Sequence, residues 1–319
     1  MTDHTATEPR RTETSSAVFT HSAPESRLRS IAVIGSSGFI GSATIRALAA
    51  RRCRVTAIAR QRPQVPHPGV RYITADITEL HSLVHALEDV DIVVHAASYT
   101  GPDERLCETI NRLGTENVIT AAHMHRIEHV INTSTIGVYG LGPFSNVVEN
   151  AREPNPVTAL SAARAAADDF VRARGGTTVR PGFVYGPGDR WFLPGLQSIL
   201  GKARTWIDHG SALLSVIEIG ELGALIAELA LRCSADDQGA LFHAAHPEPK
   251  TVHDITIRLS GRDFNAPSAS CTYTEALSHA IDLGLTARQI DLVGREHSID
   301  SSKIWDRTQR TPAGLDVRR

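Results

Sequence analysis

Residues 31 to 50 read IAVIGSSGFIGSATIRALAA. A β-branched run, three glycines at the spacing GxxGxxG and a longer helical run follow one another without a break. Each glycine has a physical task. Gly35 makes the tight turn out of the strand, Gly38 lets backbone approach a pyrophosphate, and Gly41 lets helix and strand pack closely with the helix N-terminus facing the phosphates. A glycine pattern alone also fits a bare strand-to-helix turn. Here the strand, the helix and a following strand VTAIA are all in place, so the reading is a dinucleotide-binding βαβ unit.

The rhythm continues outward from this stretch. RYITAD, a helix over 79 to 88, DIVVHAA, a helix over about 103 to 123, HVINTST (129 to 135), a helix over about 158 to 173 and TTVRPGF (177 to 183) alternate strand and helix. That alternation predicts an α/β fold, a Rossmann-like doubly wound parallel sheet with helices on both faces. After Gly188 the elements shorten: a helix near 191 to 201, LLSVIEI, a helix over 220 to 232, ALFHAA, a helix near 251 to 260 and CTYT. The organisation expected is a leader over 1–28, a dinucleotide-binding core mainly over 29–188, a smaller substrate lobe mainly over 189–312 with some elements returning to the core, and a tail over 313–319.

With 319 residues, 41% hydrophobic and 21% charged, the chain has material for a full core. A formal charge of -2 offers no concentrated basic face for nucleic acid or a membrane surface. Small-molecule chemistry is the default. The four cysteines, Cys53, Cys107, Cys233 and Cys271, form no CxxC pair and suggest neither a disulfide framework nor zinc, which points to a reducing cytoplasm. No apolar run approaches the roughly 20 residues needed to span a bilayer, and the leader lacks a signal-like apolar stretch. His81 with His85 and His125 with His129 have i, i+4 spacing, but no further ligand completes either set, so no metal is expected.

The end of the second strand selects the dinucleotide. A carboxylate there accepts hydrogen bonds from the ribose hydroxyls of NAD, whereas this chain reads VTAIARQRP with Ala59, Arg60 and Arg62. Arg60 is shaped to stack on adenine and pair with a 2'-phosphate. The expectation is NADPH, with NADH as the alternative if the arginines form a solvated loop.

The motifs GSSGFIG (35 to 41), TADIT (74 to 78), DIVVHAAS (91 to 98), NRLGTENV (111 to 118), NTSTIGVYG (132 to 140) and VRPGFVYGPGD (179 to 189) stand in one order. In that order they resemble the extended short-chain dehydrogenase/reductases, the NAD(P)-dependent epimerase/dehydratase-like family, over about residues 29 to 312. SVIEIGELG (215 to 223) and DSSKIW (300 to 305) extend the likeness, although Gly220 and Glu221 stand where the family carries a pair of aspartates. The resemblance implies that Ser37, Phe39 and Ile40 join the three glycines around the pyrophosphate. It implies that Asp76 and Ile77 meet adenine, Ala96 and Ala97 pass beside the cofactor, and Pro181, Gly182 and Val184 present backbone near the nicotinamide amide. Asp76 also suits a helix N-cap.

In that family a Ser/Thr, a Tyr and a Lys reduce a carbonyl. The hydroxyl orients the substrate oxygen, Tyr passes a proton and Lys holds the ribose while lowering the Tyr pKa from its usual value near 10. Thr135 matches the Ser/Thr position. PNPVTALSAARAAADD resembles PxxxYxxSKxxxE, which places Leu160 on Tyr, Arg164 on Lys and Asp168 on the acid, all on one helical face. Leucine has no proton to give. Arg164 keeps a charge and donors for ribose hydroxyls but does not relay protons.

Substitute donors are sought at the carboxyl edge of the sheet, where ligands sit in open α/β folds. Ser98 and Tyr99 are the candidates there, with Tyr99 equally suited to be a substrate-pocket wall. Tyr139 and Tyr185 fit packing roles, His95 fits the sheet interior, and Ser161 lies a quarter-turn from Leu160. Leu160 and Trp191 are further substrate-pocket candidates, the tryptophan as a stacking surface in a stretch, Asp189 to Trp191, that alternatively anchors the lobe. A substrate whose ketone is flanked by a phenol or enol needs no protein acid at all.

Intact cofactor motifs without Tyr and Lys resemble the atypical ketoreductases of aromatic polyketide biosynthesis. The resemblance implies an NADPH-dependent, cytoplasmic ketoreductase, monomer or homodimer, acting on a polycyclic aromatic, angucyclinone-like ketone in antibiotic formation. The alternatives are an inactive NADP(H)-binding sensor and, less well fitted, a nucleotide-sugar epimerase or dehydratase.

Overall fold

The computed structural model describes residues 1–2, 27–259 and 264–314; most of the expected leader and tail lie outside the described residues. Seven parallel strands form the main sheet. In chain order they are β1 (Ser30–Ile34), β2 (Arg54–Ala59), β3 (Val70–Thr74), β4 (Ile92–His95), β5 (His129–Thr133), then, after a short strand β6 (Phe144–Val147), β7 (Thr177–Pro181), and finally Leu241–Ala244. Their spatial order is β3-β2-β1-β4-β5-β7 followed by Leu241–Ala244. The order reverses between β1 and β4, and a ligand crevice opens at such a switch point.

β1 is SIAVI, buried at every position, as expected of a strand covered on both faces. Ile31, Val33, Ile92 and Val94 turn toward a core shared with helix α1 (Phe39–Ala49) and helix α7 (Ile219–Arg232). Ala32, Ile34 and Val93 turn the other way, toward helices α2 (Leu80–Ala86) and α4 (Gly114–Met124). The α1–α7 crossing is unusually close. A Cβ built on Gly223 of α7 would lie 2.7 Å from the backbone carbon of Ala43.

The sheet, α1, helix α5 (Ala159–Arg172) and α7 fall within a residue or two of their expected bounds. The expected helix over 103 to 123 divides into α3 (Glu104–Leu106), a π-helical stretch Cys107–Leu113 and α4. The wider turn has a local cause: it buries Asn111 toward the loop after β4. That loop is an edge with unpaired backbone, and Asn111 supplies its partners.

Beyond β7 come β8 (Phe183–Tyr185), paired with Val216–Glu218, and helix α6 (Phe192–Ala203). A second core gathers Leu196, Ile199, Trp206, Val252, Ile290 and Val293. A four-stranded sheet joins β6 to His297–Ile299, Leu213–Leu214 and Lys250–Thr251, so part of the chain before Gly188 belongs to this lobe's sheet. β6 and the strand His297–Ile299 carry no apolar run long enough to have been marked as strands in the sequence.

Replacing Gly223 with valine drives a side chain into the backbone of α1. We expect a loss of about 1–3 kcal/mol, read as a lower denaturant midpoint with an unchanged slope.

Candidate active site

The glycine loop is built by close approach. Gly35 has φ +82, and a Cβ on it would lie 2.4 Å from the Ala97 nitrogen. A Cβ on Gly41 would lie 2.2 Å from the Gly35 carbonyl oxygen. Only hydrogen fits at either position. Gly38 caps α1 without any side-chain acceptor, which leaves the first-turn N–H groups, partly positive through the helix dipole, for an outside acceptor.

A cavity of about 360 Å³ opens at this loop. Gly35, Ser37, Gly38 and Arg60 line one part of it, Asp76, Ile77, Ala96 and Ala97 another, and Ser98 and Tyr99 the far end. The fold therefore gathers ten residues singled out in the sequence, and the cradle suits a dinucleotide: glycine floor, helix N-terminus, carboxylate on one side. Asp76 Oδ1 accepts from the Thr78 N–H and hydroxyl, both at 2.9 Å. The helix that follows starts from Glu79, so Asp76 is not its N-cap. Arg60 is exposed at the rim, while Arg62 lies over the Tyr72 ring, 5.8 Å from its centroid.

Other candidates fall elsewhere. Ile40 and Val184 pack against the main core. Phe39 faces Gly188. Pro181 ends β7, buried. Leu160 is half-buried on α5, and Trp191 is 62% exposed at the start of α6. Asp189 accepts from the N–H groups of Trp191, Phe192 and Leu193 at 2.8–2.9 Å, which is the lobe-anchoring role. His81 and His85 meet at 3.1 Å, and among the described residues no three metal-ligating side chains converge.

Arg164 is the centre of the site. One Nη donates a short hydrogen bond to Ser98 Oγ, and the other donates to the Ser134 carbonyl at 3.3 Å. The guanidinium thus bridges the loops after β4 and β5. Ser98 Oγ in turn donates to Asn111 Oδ1 at 3.0 Å, and Asn111 also takes the Tyr99 N–H at 2.8 Å. Burial pulls the Arg164 pKa down, and Asp168 opposes the shift. Both acceptors of Arg164 are neutral. The half-buried Arg164 and the buried Arg180 therefore share one carboxylate.

That carboxylate, Asp168, is fully buried and holds three donors: Ser134 Oγ at 2.7 Å, Arg180 Nε at 3.0 Å and Asn132 Nδ2 at 3.1 Å. Arg180 also donates to Tyr139 Oη at 3.0 Å, and Tyr139 donates to His243 Nε2 at 2.6 Å. His243 Nδ1 donates to the Asp300 carbonyl at 3.1 Å, which fixes the ring as a neutral tautomer. Burial holds His243 down at about 4. His95 is also held at about 4, by burial first and then by the charge of Arg164, with its Nε2 at 3.0 Å from Thr115 Oγ1.

Tyr99 and Thr135 are not brought together. The Tyr99 hydroxyl accepts from the Asp103 N–H at 3.3 Å, with its ring against Gly101. Thr135 caps the turn Ile136–Tyr139, accepting from Gly137 at 3.0 Å, and lines a separate cavity of about 270 Å³ with Ser161, Gly182, Phe144, Phe183 and His297. Ser161 is spent in a capping box with Thr158. Sequence reasoning missed Asn111, Arg180, His243 and the wall of this second cavity. NRLGTENV and VRPGF contained two of them, but nothing local gave their partners.

Comparison with known proteins agrees with this architecture. The model of the NAD dependent epimerase/dehydratase family matches residues 31–223. The chain is 31% identical over 210 residues to the 4-hydroxy-2-methyl-3-oxo-4-farnesyl-3,4-dihydroquinoline-1-oxide ketoreductase of Stigmatella aurantiaca, covering 61% of this chain and 63% of the relative. It is 29% identical over 249 residues to the 2-alkyl-3-oxoalkanoate reductase of Stenotrophomonas maltophilia, covering 72% and 74%. The first match thus spans just under two thirds of its relative. Among solved structures, the UDP-glucose 4-epimerase of Thermus thermophilus in complex with NAD superposes with a TM-score of 0.68 at 20% identity, covering 90% of this chain and 95% of that one.

Between pH 6.5 and 4 an unfolded chain protonates both His95 and His243 while the folded one does not, so their contribution makes stability fall as pH falls through that window. We expect NMR of the two imidazoles to show neutral rings down to pH 5. Midpoints near 6.5 would contradict their burial in this network.

Proposed function

The chain belongs to the NAD dependent epimerase/dehydratase family, and on that premise we propose that it is a ketoreductase of atypical active site, using NADPH to reduce a ketone of an aromatic, polyphenolic polyketide. The observation that carries the reading is the Arg164–Ser98 bond. A chain that had merely lost Tyr and Lys has no need to keep a half-buried cation on a hydroxyl beside the cofactor cavity.

The reduced nicotinamide, when bound, supplies the hydride. Gly35, Gly38 and the open N-terminus of α1 hold the phosphates, Asp76 takes adenine, and Arg60 takes a 2'-phosphate that no carboxylate on β2 would repel. Thr135, one residue beyond the Ser134 carbonyl that Arg164 holds, meets the substrate from its own cavity, and the ketone oxygen lies toward Arg164 and Ser98. Negative charge then grows on that oxygen, and the charge of Arg164, only partly offset by Asp168, favours it without any reorganisation. Ser98, its oxygen polarised by the guanidinium, gives its proton to the alkoxide and takes one back from solvent. A phenol beside the ketone adds an internal hydrogen bond to the same oxygen.

Two further observations support the substrate class, and a third supports the reaction. The Thr135 cavity has aromatic walls, Phe144 and Phe183. The Stigmatella relative is named for a ketone on a dihydroquinoline oxide. Two other relatives are named as a 3-oxoalkanoate reductase and a sterol dehydrogenase. A sugar epimerase must first oxidise an alcohol, which requires the base that Leu160 cannot provide.

The test is consumption of NADPH, followed at the reduced-nicotinamide absorbance band, with polyphenolic ketones. We expect turnover, at least tenfold tighter binding of NADPH than of NADH, and loss of that preference in Arg60→Ala. Ser98→Ala should lower kcat by about 10²-fold, while Tyr99→Phe leaves it within a few-fold. Tight NADPH binding without turnover on any ketone would favour a sensor instead.

A further inference from the structure

We infer that the Thr135 cavity selects a substrate carrying an ionised oxygen, a phenolate or a carboxylate, and that Arg288 is the residue that reads it. This rests on the cavity being the substrate site of the ketoreductase proposed above, and it adds a charge requirement that the aromatic reading does not contain.

Half of the cavity's side chains are apolar, with Ile136, Leu141, Phe144, Val157, Phe183 and Leu292 on its walls. Its polar side chains divide sharply into those already used and those left over. The Ser161 hydroxyl bonds Thr158 as both donor and acceptor. Gln289 Oε1 accepts from Thr286 N and Oγ1, at 2.9 and 3.1 Å. Asp291 is 2% exposed and fully engaged: Oδ2 takes His297 Nε2 at 3.2 Å and the Gly142 N–H at 2.8 Å, and Oδ1 faces Arg295 Nε at 3.7 Å.

His297 closes that account. Its Nδ1 stands 2.9 Å from the Arg295 carbonyl oxygen and its Nε2 faces the Asp291 carboxylate. Both ring nitrogens are taken up by these partners, so His297 offers a ligand neither of them. The same contacts draw the Asp291 carboxyl below its ordinary value against the effect of burial. The one acidic side chain in the wall is thus unavailable to a ligand.

The groups left over are donors. Thr135 keeps its O–H after accepting from Gly137, and Gln289 keeps its amide N–H groups. Arg288, on the helix Ala287–Gly294, has no hydrogen-bond or charge partner among the described residues and stands in the cavity lining. Spare side-chain capacity dominated by donors pairs with a ligand that brings acceptors, and an unpartnered guanidinium at the exposed edge of the cavity favours one that brings negative charge.

Anthraquinone probes of one shape separate the possibilities. Calorimetric titration of the protein with saturating NADP+ would compare 2-hydroxyanthraquinone as the phenolate, anthraquinone-2-carboxylate and neutral 2-methoxyanthraquinone at pH 8.5. At least one anion should bind about tenfold tighter than the methoxy compound, and whichever does identifies the source of the charge. Arg288→Gln, an exposed change, should abolish that difference while leaving methoxy binding within twofold and the melting temperature unchanged. Added salt should shrink the difference in the wild type only. Equal binding of all three probes, a preference that survives Arg288→Gln, or no binding of any probe would each overturn the inference. The assay needs no turnover, so a failed ketoreductase reading, seen as absent NADPH consumption, is scored separately.

Discussion

The buried pair Asp168–Arg180 is the constraint around which the site is built. A carboxylate out of water is costly unless its oxygens are filled, and Asp168 fills them with donors from β5, from the residue just after it and from β7. One side chain on α5 thereby sets that helix against two strands. Through Arg180, Tyr139 and His243 the same chain of bonds reaches Leu241–Ala244 and the segment at Asp300. Through Ser134 it fixes a carbonyl that holds Arg164. Breaking such a pair on one side leaves an uncompensated charge, which costs about 3–5 kcal/mol.

Arg164 is held by that framework. Its position is set twice, by the Ser134 carbonyl from the sheet and by Ser98 from the loop that Asn111 fastens. A lysine here would act on a tyrosine. Without the tyrosine, a guanidinium whose two neighbours are neutral retains its field for whatever charge develops beside it. The π-helical turn at Asn111 belongs to the same device, since it places the amide where the loop after β4 lacks partners.

Much of the fold was legible because its signals are local. Hydrophobic runs, their spacing and GSSGFIG define the order of strands and the cofactor loop, and ten of the residues marked in the sequence share one cavity. The bonds that build the site are long-range. Ser98 and Arg164 are 66 positions apart, and Tyr139 and His243 are 104 apart. Tyr99 was read as a possible acid from its place at the sheet edge, but the direction of its hydroxyl depends on Gly101 and Asp103. Trp191 stood beside a turn that borders the site, and its ring faces solvent. β6 and its partner strand were invisible because two short half-polar segments become strands only by meeting each other.

The central claim is that hydride transfer persists at a site without tyrosine. Incubation with NADPH deuterated at the transferred position of C4, followed by mass spectrometry and NMR of the alcohol product, tests it most directly. The account predicts one deuterium, at the carbinol carbon and in a single configuration. An unlabelled product, or a label absent from that carbon, would contradict it.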